Sequence, residues 1–312
     1  MKLCSILLYN KIWSMSDDLS KVPVKDGFIL TDDRNQMNEA DVVVLHMPTI
    51  TKEEFAAIKK RAGQLWVFWT MECDAHYQWQ FTPEIQALFD ITISYKMDAD
   101  VPLPYIHSSY NEMMRRLPVD KSQLINAFIS SDFDLSNRIQ YLKELATYID
   151  VHSFGKVMNN RELPKDDGIM TKAGIISGYK FSIAFENAIA KDYVTEKFYH
   201  PLIVGSVPVY LGAPNIKDFA PGEHCFINVH DFSSVKDLAD YLIELDNDPV
   251  KYAAYHSWKN EPYRKDFVQK LDVVSKHTFL RLCELLEKNK HHLNKYYHEK
   301  QPGFFKTTTY IE

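Results

Sequence analysis

Apolar positions along the chain fall into short β-rich runs separated by polar turns and helical spacings, and this alternation sets the expected fold. In the first third, residues 2–9, 27–31, 41–46, 64–69 and 90–95 read as strands. Val42-Val43-Val44-Leu45 is apolar on both faces, as in a parallel sheet covered by helices on both sides. Residues 52–62 predict a helix between two of these strands. A polar stretch from about 98 to 121, punctuated by Pro102, Pro104 and Pro118, has no clear period and predicts a connection. A second alternation follows, with strands at 125–130, 150–154, 181–185, 207–211 and 225–229. Ser136 with Gln140, and apolar Ile139, Leu142, Leu145 and Ala146, mark one helix; Val235, Leu238, Ala239, Leu242 and Leu245 mark another. Phe279, Leu282, Leu285 and Leu286 mark a last helix, after which residues 288–312 are polar with aromatic interruptions. The expectation is α/β: two Rossmann-like lobes with a cleft between them, residues 1–118 and 119–275, then a C-terminal helix and polar tail, 276–312. Ligands of such lobes bind at the carboxyl ends of the strands.

Composition narrows the function without naming it. With 46% hydrophobic and 25% charged residues in 312, the chain is an ordinary globular one. A net charge of -6 argues against a nucleic-acid partner bound through a broad basic face. No G-x-G-x-x-G, G-x-x-x-x-G-K-[ST] or G-x-S-x-G occurs, so dehydrogenase, P-loop and α/β-hydrolase readings lose their main support. Cys4, Cys73, Cys225 and Cys283 are scattered with no zinc spacing and read as reduced thiols. The N-terminal apolar run is far below the ~18 residues of a spanning helix, so no transmembrane segment and a cytoplasmic setting are expected.

The chemistry-bearing residues lie where strands end. The strand 181–185 delivers Glu186-Asn187, and after a short loop Asp192-Tyr193-Val194-Thr195-Glu196-Lys197 opens a helix with Thr195 at the N-cap. Free backbone N–H groups, a cation and a carboxylate at one such junction suit a sugar nucleotide: Lys197 for phosphate oxygens, Glu196 for sugar hydroxyls. A solvated first helical turn explains the same spacing equally well. Arg138, following Phe128-Ile129-Ser130-Ser131-Asp132, reaches the same phosphates or pairs at the surface with Asp134 or Glu144. The strand 64–69 delivers Glu72 between Met71 and Cys73, and a partly desolvated carboxylate there favours work as a general base, a capping or surface role being the alternative. Asp98-Ala99-Asp100 has the D-x-D form that holds a divalent ion on a diphosphate, but two aspartates in a polar connector are more often solvated. The histidines, His291, His292 and His298 among them, make no metal spacing and read as surface residues.

The strings Tyr179-Lys180-Phe181-Ser182-Ile183-Ala184-Phe185-Glu186-Asn187, Asp192 to Phe198 and Gly205 to Ile216 closely resemble the donor-binding signature of α-1,3/4-fucosyltransferases, glycosyltransferase family 10. The resemblance extends through Ser130 with Arg138 and through Trp69-Thr70-Met71-Glu72-Cys73, and is closest to the soluble bacterial, Bacteroides-type members. It implies a GT-B arrangement in which the carboxyl-terminal lobe binds GDP-β-L-fucose and the amino-terminal lobe holds a glycan acceptor. It further implies inverting transfer of L-fucose to a GlcNAc or Glc hydroxyl of a lactosamine- or lactose-type acceptor, giving an α-1,3 or α-1,4 fucoside. By position, the resemblance makes Glu72 the base, and Arg138 and Lys197 the diphosphate ligands. Asn187, Tyr193 and Glu196 contact ribose, fucose or phosphates; Ser130 lines the nucleotide pocket and Tyr105 lies near the donor. No cofactor is required and a divalent metal is at most stimulatory. Pro201, within the helix that Glu196 opens, must bend or terminate its first turns, and peripheral membrane contact falls to the tail. The rival functions are a metal-dependent nucleotide-sugar transferase of another donor class and a non-catalytic GDP- or glycan-binding protein on the same fold.

Overall fold

The computed structural model describes residues 3–13, 18–116, 120–163 and 167–288, and the tail with its three histidines lies outside them. The chain forms two compact units, one up to Leu103 and again from Val273, the other Pro104–Asp272.

The first unit holds β1 (Cys4–Leu8), β2 (Phe28–Thr31), β3 (Val42–His46), β4 (Leu65–Thr70), β5 (Ile91–Ser94) and β6 (Val101–Pro102). They form one sheet in the order β2-β1-β3-β4-β5-β6, every pairing parallel. β3 and β4 are buried at every position, which is why their apolar runs are unbroken. Alternate side chains serve opposite faces. Ile6, Leu8, Val42, Val44, Val67 and Trp69 pack with Phe279, Leu282 and Leu286, while Leu7, Val43, Leu45, Trp66 and Phe68 pack with Phe55. The last helix, Thr278–Lys288, thus covers the first sheet and is no separate appendage. The helix expected over 52–62 stops at Ala57: Ile58 is extended (φ -87°, ψ 150°), and Lys60 is drawn toward Leu88 O (2.8 Å) and Asp90 (2.5 Å).

The second unit holds β7 (Gln123–Ala127), β8 (Val151–Ser153), β9 (Tyr179–Phe185), β10 (Val207–Leu211) and β11 (Ile227–Asn228), again wholly parallel, in the order β11-β10-β9-β7-β8. Its core joins Ile125, Phe181, Ile183 and Val209 to Leu142 and Leu145 of the helix Arg138–Leu145 and to Leu238, Leu242 and Leu245 of the helix Val235–Asn247. The expected strand 125–130 is shorter at its end. Gly155 lies against the backbone of Ile129, so close that a Cβ there would stand 2.1 Å from Ile129 O, and the chain leaves the sheet after Ala127. The helix Ile169–Ser177 has no sequence-level counterpart, because its apolar residues leave no polar face to set a 3.6-residue period.

The units divide at Leu103–Pro104, ahead of the boundary expected at 118. The intervening polar stretch is built into the second unit: Arg115 Nη1 donates to Trp258 O (3.1 Å) and Lys259 O (2.8 Å), and Lys259 Nζ donates to Met114 O (2.6 Å). No helix among the described residues is long and apolar enough to cross a membrane.

Candidate active site

In the second sheet the chain runs from β7 out to β8 and then returns to place β9 on the other side of β7. The connections diverge between β7 and β9, and open parallel sheets hold their ligands beyond the carboxyl ends at such a point. Arg138 opens the helix that follows β7. Both oxygens of the Asp134 carboxylate cap that helix, accepting from Arg138 N and Ile139 N at 2.9 Å each, while Asn137 takes a left-handed conformation (φ 60°). The guanidinium is turned inward and 2% exposed. Nη1 donates to Phe185 O at the end of β9 (3.2 Å), and Nη2 to Ser131 O (3.0 Å) and Phe133 O (3.2 Å); buried Nε has no hydrogen-bond partner among the described residues. A surface arginine paired with Asp134 or Glu144 is therefore excluded. Burial lowers its pKa, opposed by Asp134 and Glu186, and a guanidinium remains charged regardless.

β9 delivers Glu186, which is fully buried. Its Oε1 accepts from Thr195 N (2.7 Å) and its Oε2 from Thr195 Oγ1 (2.8 Å), while Lys197 Nζ stands 3.5 Å from Oε2. Burial pushes this carboxyl's pKa up and Lys197 pulls it back. Gly212 lets the loop after β10 close on this group, since a Cβ there would lie 2.4 Å from Tyr210 Oη and 2.6 Å from Glu186 Cγ. Thr195 caps the helix Glu196–Val204, accepting from Lys197 N (3.4 Å), as its place in the sequence predicts. Lys197 Nζ also donates to Thr195 Oγ1 (3.0 Å) and Glu196 Oε1 (3.2 Å). Burial works against its charge, but Glu186 and Glu196 outweigh burial and raise the pKa. Burial likewise opposes ionisation of Glu196, yet Lys197, Lys172 and His200 together bring it down to about 2. Pro201 does not end this helix, which continues to Val204 and stops at left-handed Gly205 (φ 73°); Pro201 O accepts from Ser206 N at 2.8 Å instead.

Tyr193, 2% exposed, stands edge-on to Tyr105 with ring centroids 6.2 Å apart, and its carbonyl accepts from Tyr210 Oη (3.4 Å). Asn187 follows Glu186, and its carbonyl accepts from Leu135 N (2.8 Å). Ser130 is exposed on the loop after β7, one residue before the carbonyl that Arg138 holds. Lys172 and His200 join this group unanticipated. Lys172, the one cation of the helix Ile169–Ser177, has its pKa lowered by burial and supported by Glu196; burial, then Lys172, lowers His200 to about 4, leaving it neutral near pH 7. No sequence motif marks either residue, since both are placed by packing of their helices.

In the first unit, β4 delivers Glu72, whose N–H donates to Thr70 Oγ1 (3.1 Å). A turn closed by His76 N to Cys73 O (2.8 Å) folds the chain back, so that His76 Nδ1 lies 2.8 Å from Glu72 Oε2, the two side chains 16% and 20% exposed. Asp74, in the same turn, is held by Lys96 Nζ at 2.5 Å. The D-x-D pair divides: Asp100 Oδ2 accepts from Thr92 N (2.8 Å) and Thr92 Oγ1 (2.9 Å), tying the β5–β6 connection, while Asp98 lines a small hollow with Asp74 and Lys96. Among the described residues, no group of three or more His, Cys, Asp or Glu could hold a metal ion.

Two parallel α/β sheets, one with cations gathered at a helix N-terminus beyond its strand ends, fit the class of two-lobed glycosyltransferases. Sequence comparison places the chain within that class. The profile "Fucosyltransferase, N-terminal" matches residues 2–106, and "Glycosyltransferase family 10 (fucosyltransferase) C-term" matches 118–301. The chain belongs to glycosyltransferase family 10, the fucosyltransferases. It is 34% identical over 219 residues to GDP-fucose protein O-fucosyltransferase 3 of Homo sapiens, matching 65% of this chain and 46% of that protein. It is 33% identical over 255 residues to 4-galactosyl-N-acetylglucosaminide 3-alpha-L-fucosyltransferase 9 of Mus musculus, matching 78% of this chain and 66% of that protein. The chain thus spans about half to two thirds of the length of these curated relatives. In fold it is similar to a crystal structure of an alpha1,3-fucosyltransferase with GDP-fucose, with TM-score 0.60 and 18% identity over 89% of this chain and 90% of that one.

Proposed function

We propose that this chain catalyses inverting transfer of L-fucose from GDP-β-L-fucose to a GlcNAc or Glc hydroxyl of a lactosamine- or lactose-type acceptor, forming an α-1,3 or α-1,4 fucoside. The supporting observation is the cluster of Arg138, Lys172, Lys197 and Glu196 around the end of β9, with the buried Arg138 Nε lacking a hydrogen-bond partner among the described residues. As the bond from fucose C1 to the β-phosphate breaks, negative charge grows on the diphosphate. Fixed cations stabilise that state more than the ground state. Arg138 and Lys197 serve the diphosphate, Glu196 with Asn187 and Tyr193 the ribose, fucose or phosphates, and Ser130 and Tyr105 border the donor. Glu72 takes the proton of the attacking acceptor hydroxyl, its second oxygen being engaged by His76. With the first unit, up to Leu103 and again from Val273, assigned to the acceptor and the second, Pro104–Asp272, to the donor, turnover requires both units. No resident cofactor enters this reaction, and a divalent metal at most stimulates it. Buried free thiols at Cys73, Cys225 and Cys283 suit a reducing cytoplasm.

The test is GDP-fucose with an acceptor panel of type 1 and type 2 lactosamine, lactose and a Ser/Thr peptide, the last because relatives of both kinds match the chain. Transfer to a lactosamine or lactose, with an α-1,3 or α-1,4 linkage in the product, supports the reading. Transfer to the peptide alone overturns the acceptor assignment, and GDP binding without turnover on any acceptor overturns the enzyme.

A further inference from the structure

The geometry points to His76 as the residue that positions Glu72, an imidazole–carboxylate pair built into the loop after β4, and this rests on the reading of Glu72 as the base. Residues four apart in a strand would lie far apart and on one face of the sheet; here the turn closed by His76 N and Cys73 O returns the chain on itself and places Nδ1 2.8 Å from Glu72 Oε2. The turn is held from both sides. Thr70 Oγ1 accepts from the Glu72 N–H at its start, and Lys96, just beyond β5, grips Asp74 at its centre. Asp74 is thereby engaged with an ammonium, whereas Glu72 faces a group that can donate one proton and carries no fixed charge.

An ionised carboxylate only accepts hydrogen bonds, so Nδ1 carries the proton and donates it to Oε2. That contact restricts rotation of the carboxylate and leaves Oε1 to receive the acceptor proton. In the transfer, the acceptor O–H bond breaks and its proton goes to Oε1. Its electron pair forms the bond to fucose C1, and the pair of the breaking C1–O bond leaves with GDP. His76 forms no bond in this step; its part is to hold the base in its working orientation.

The experiment is steady-state kinetics on the full chain for His76→Ala, His76→Asn, Glu72→Gln and the double variant Glu72→Gln/His76→Ala, with thermal midpoints for each. Asparagine keeps an N–H donor near the Nδ1 position. A misoriented base costs kcat roughly 10- to 100-fold in His76→Ala with KM for GDP-fucose unchanged, and His76→Asn recovers to within about 5-fold of wild type. In the Glu72→Gln background, His76→Ala lowers residual kcat by less than about 2-fold, because the group it orients is already gone. Wild-type kcat in His76→Ala, or the same factor lost with and without Glu72, overturns the pairing. If alanine unfolds the loop, asparagine carries the test: a folded His76→Asn as slow as a Glu72→Gln enzyme overturns it. Wild-type kcat in Glu72→Gln overturns the base assignment itself.

Discussion

Replacing Lys197 with alanine separates two duties that the structure gives one ammonium. Its Nζ lies 3.5 Å from the fully buried Glu186 and 3.2 Å from Glu196, so it both neutralises an interior carboxylate and presents charge to the proposed diphosphate. Two unit charges at that separation attract by about 5 kcal/mol at an effective dielectric of 20. Breaking a buried pair costs about 3–5 kcal/mol when the stranded charge stays ionised. Glu186, whose pKa burial already raises, escapes part of that cost by binding a proton, so about 2–3 kcal/mol of stability should be lost. The catalytic loss is separate: removing a preorganised charge contact costs about 2–4 kcal/mol at the transition state, or roughly 30- to 900-fold in kcat/KM. Adding Glu186→Gln resolves the two. The amide removes the stranded carboxylate, so Lys197→Ala/Glu186→Gln should regain most of the lost stability while kcat/KM stays far below that of Glu186→Gln alone. Denaturant melts and steady-state kinetics on the three variants make the comparison. A double variant within a few-fold of Glu186→Gln in kcat/KM would show that Lys197 serves only Glu186, and the diphosphate assignment would fall.

Glu72→Gln keeps shape and hydrogen bonding but cannot take a proton; kcat should fall by about 10² to 10⁴ with GDP affinity, read by calorimetry, unchanged. Turnover should persist in excess EDTA, because Arg138 and Lys197 supply the charge and Asp100 is committed to Thr92; complete loss restored only by Mn²⁺ or Mg²⁺ would revive the D-x-D reading. Glu196 has its pKa depressed to about 2 in the folded chain, so its contribution to stability is present above the ordinary carboxylate pKa and fades as pH falls from there toward 2. Glu196→Gln should therefore flatten the acid limb of a stability–pH curve between about 4.5 and 2, and an unaltered limb would refute the coupling to Lys197 and Lys172.

Much of this molecule is determined locally. Runs such as 42–45 and 65–69 are apolar throughout because both faces of a parallel strand are covered, and that constraint is visible residue by residue. Thr195 before Glu196-Lys197 predicts a capped helix start for the same reason: the N-cap hydroxyl answers an unmet N–H two residues away. Glu72, Arg138 and Lys197 can be picked out because each follows a legible strand. Other features depend on what the chain meets far from itself. From the residues alone Arg138 reads better as a surface arginine, until β9 places Phe185 O beside it, and Lys172 sits on a helix with no amphipathic period to announce it. His76 meets Glu72 only through a turn closed by one backbone hydrogen bond, which no spacing rule for strands or helices anticipates. The boundary near residue 104 belongs with these, because Arg115 and Lys259 bond carbonyls 143 and 145 residues away along the chain and so recruit a polar, aperiodic segment into the second unit. Periodicity records which face of an element is buried; the partner that buries it, and the charges that burial forces together, are decided only when the elements pack.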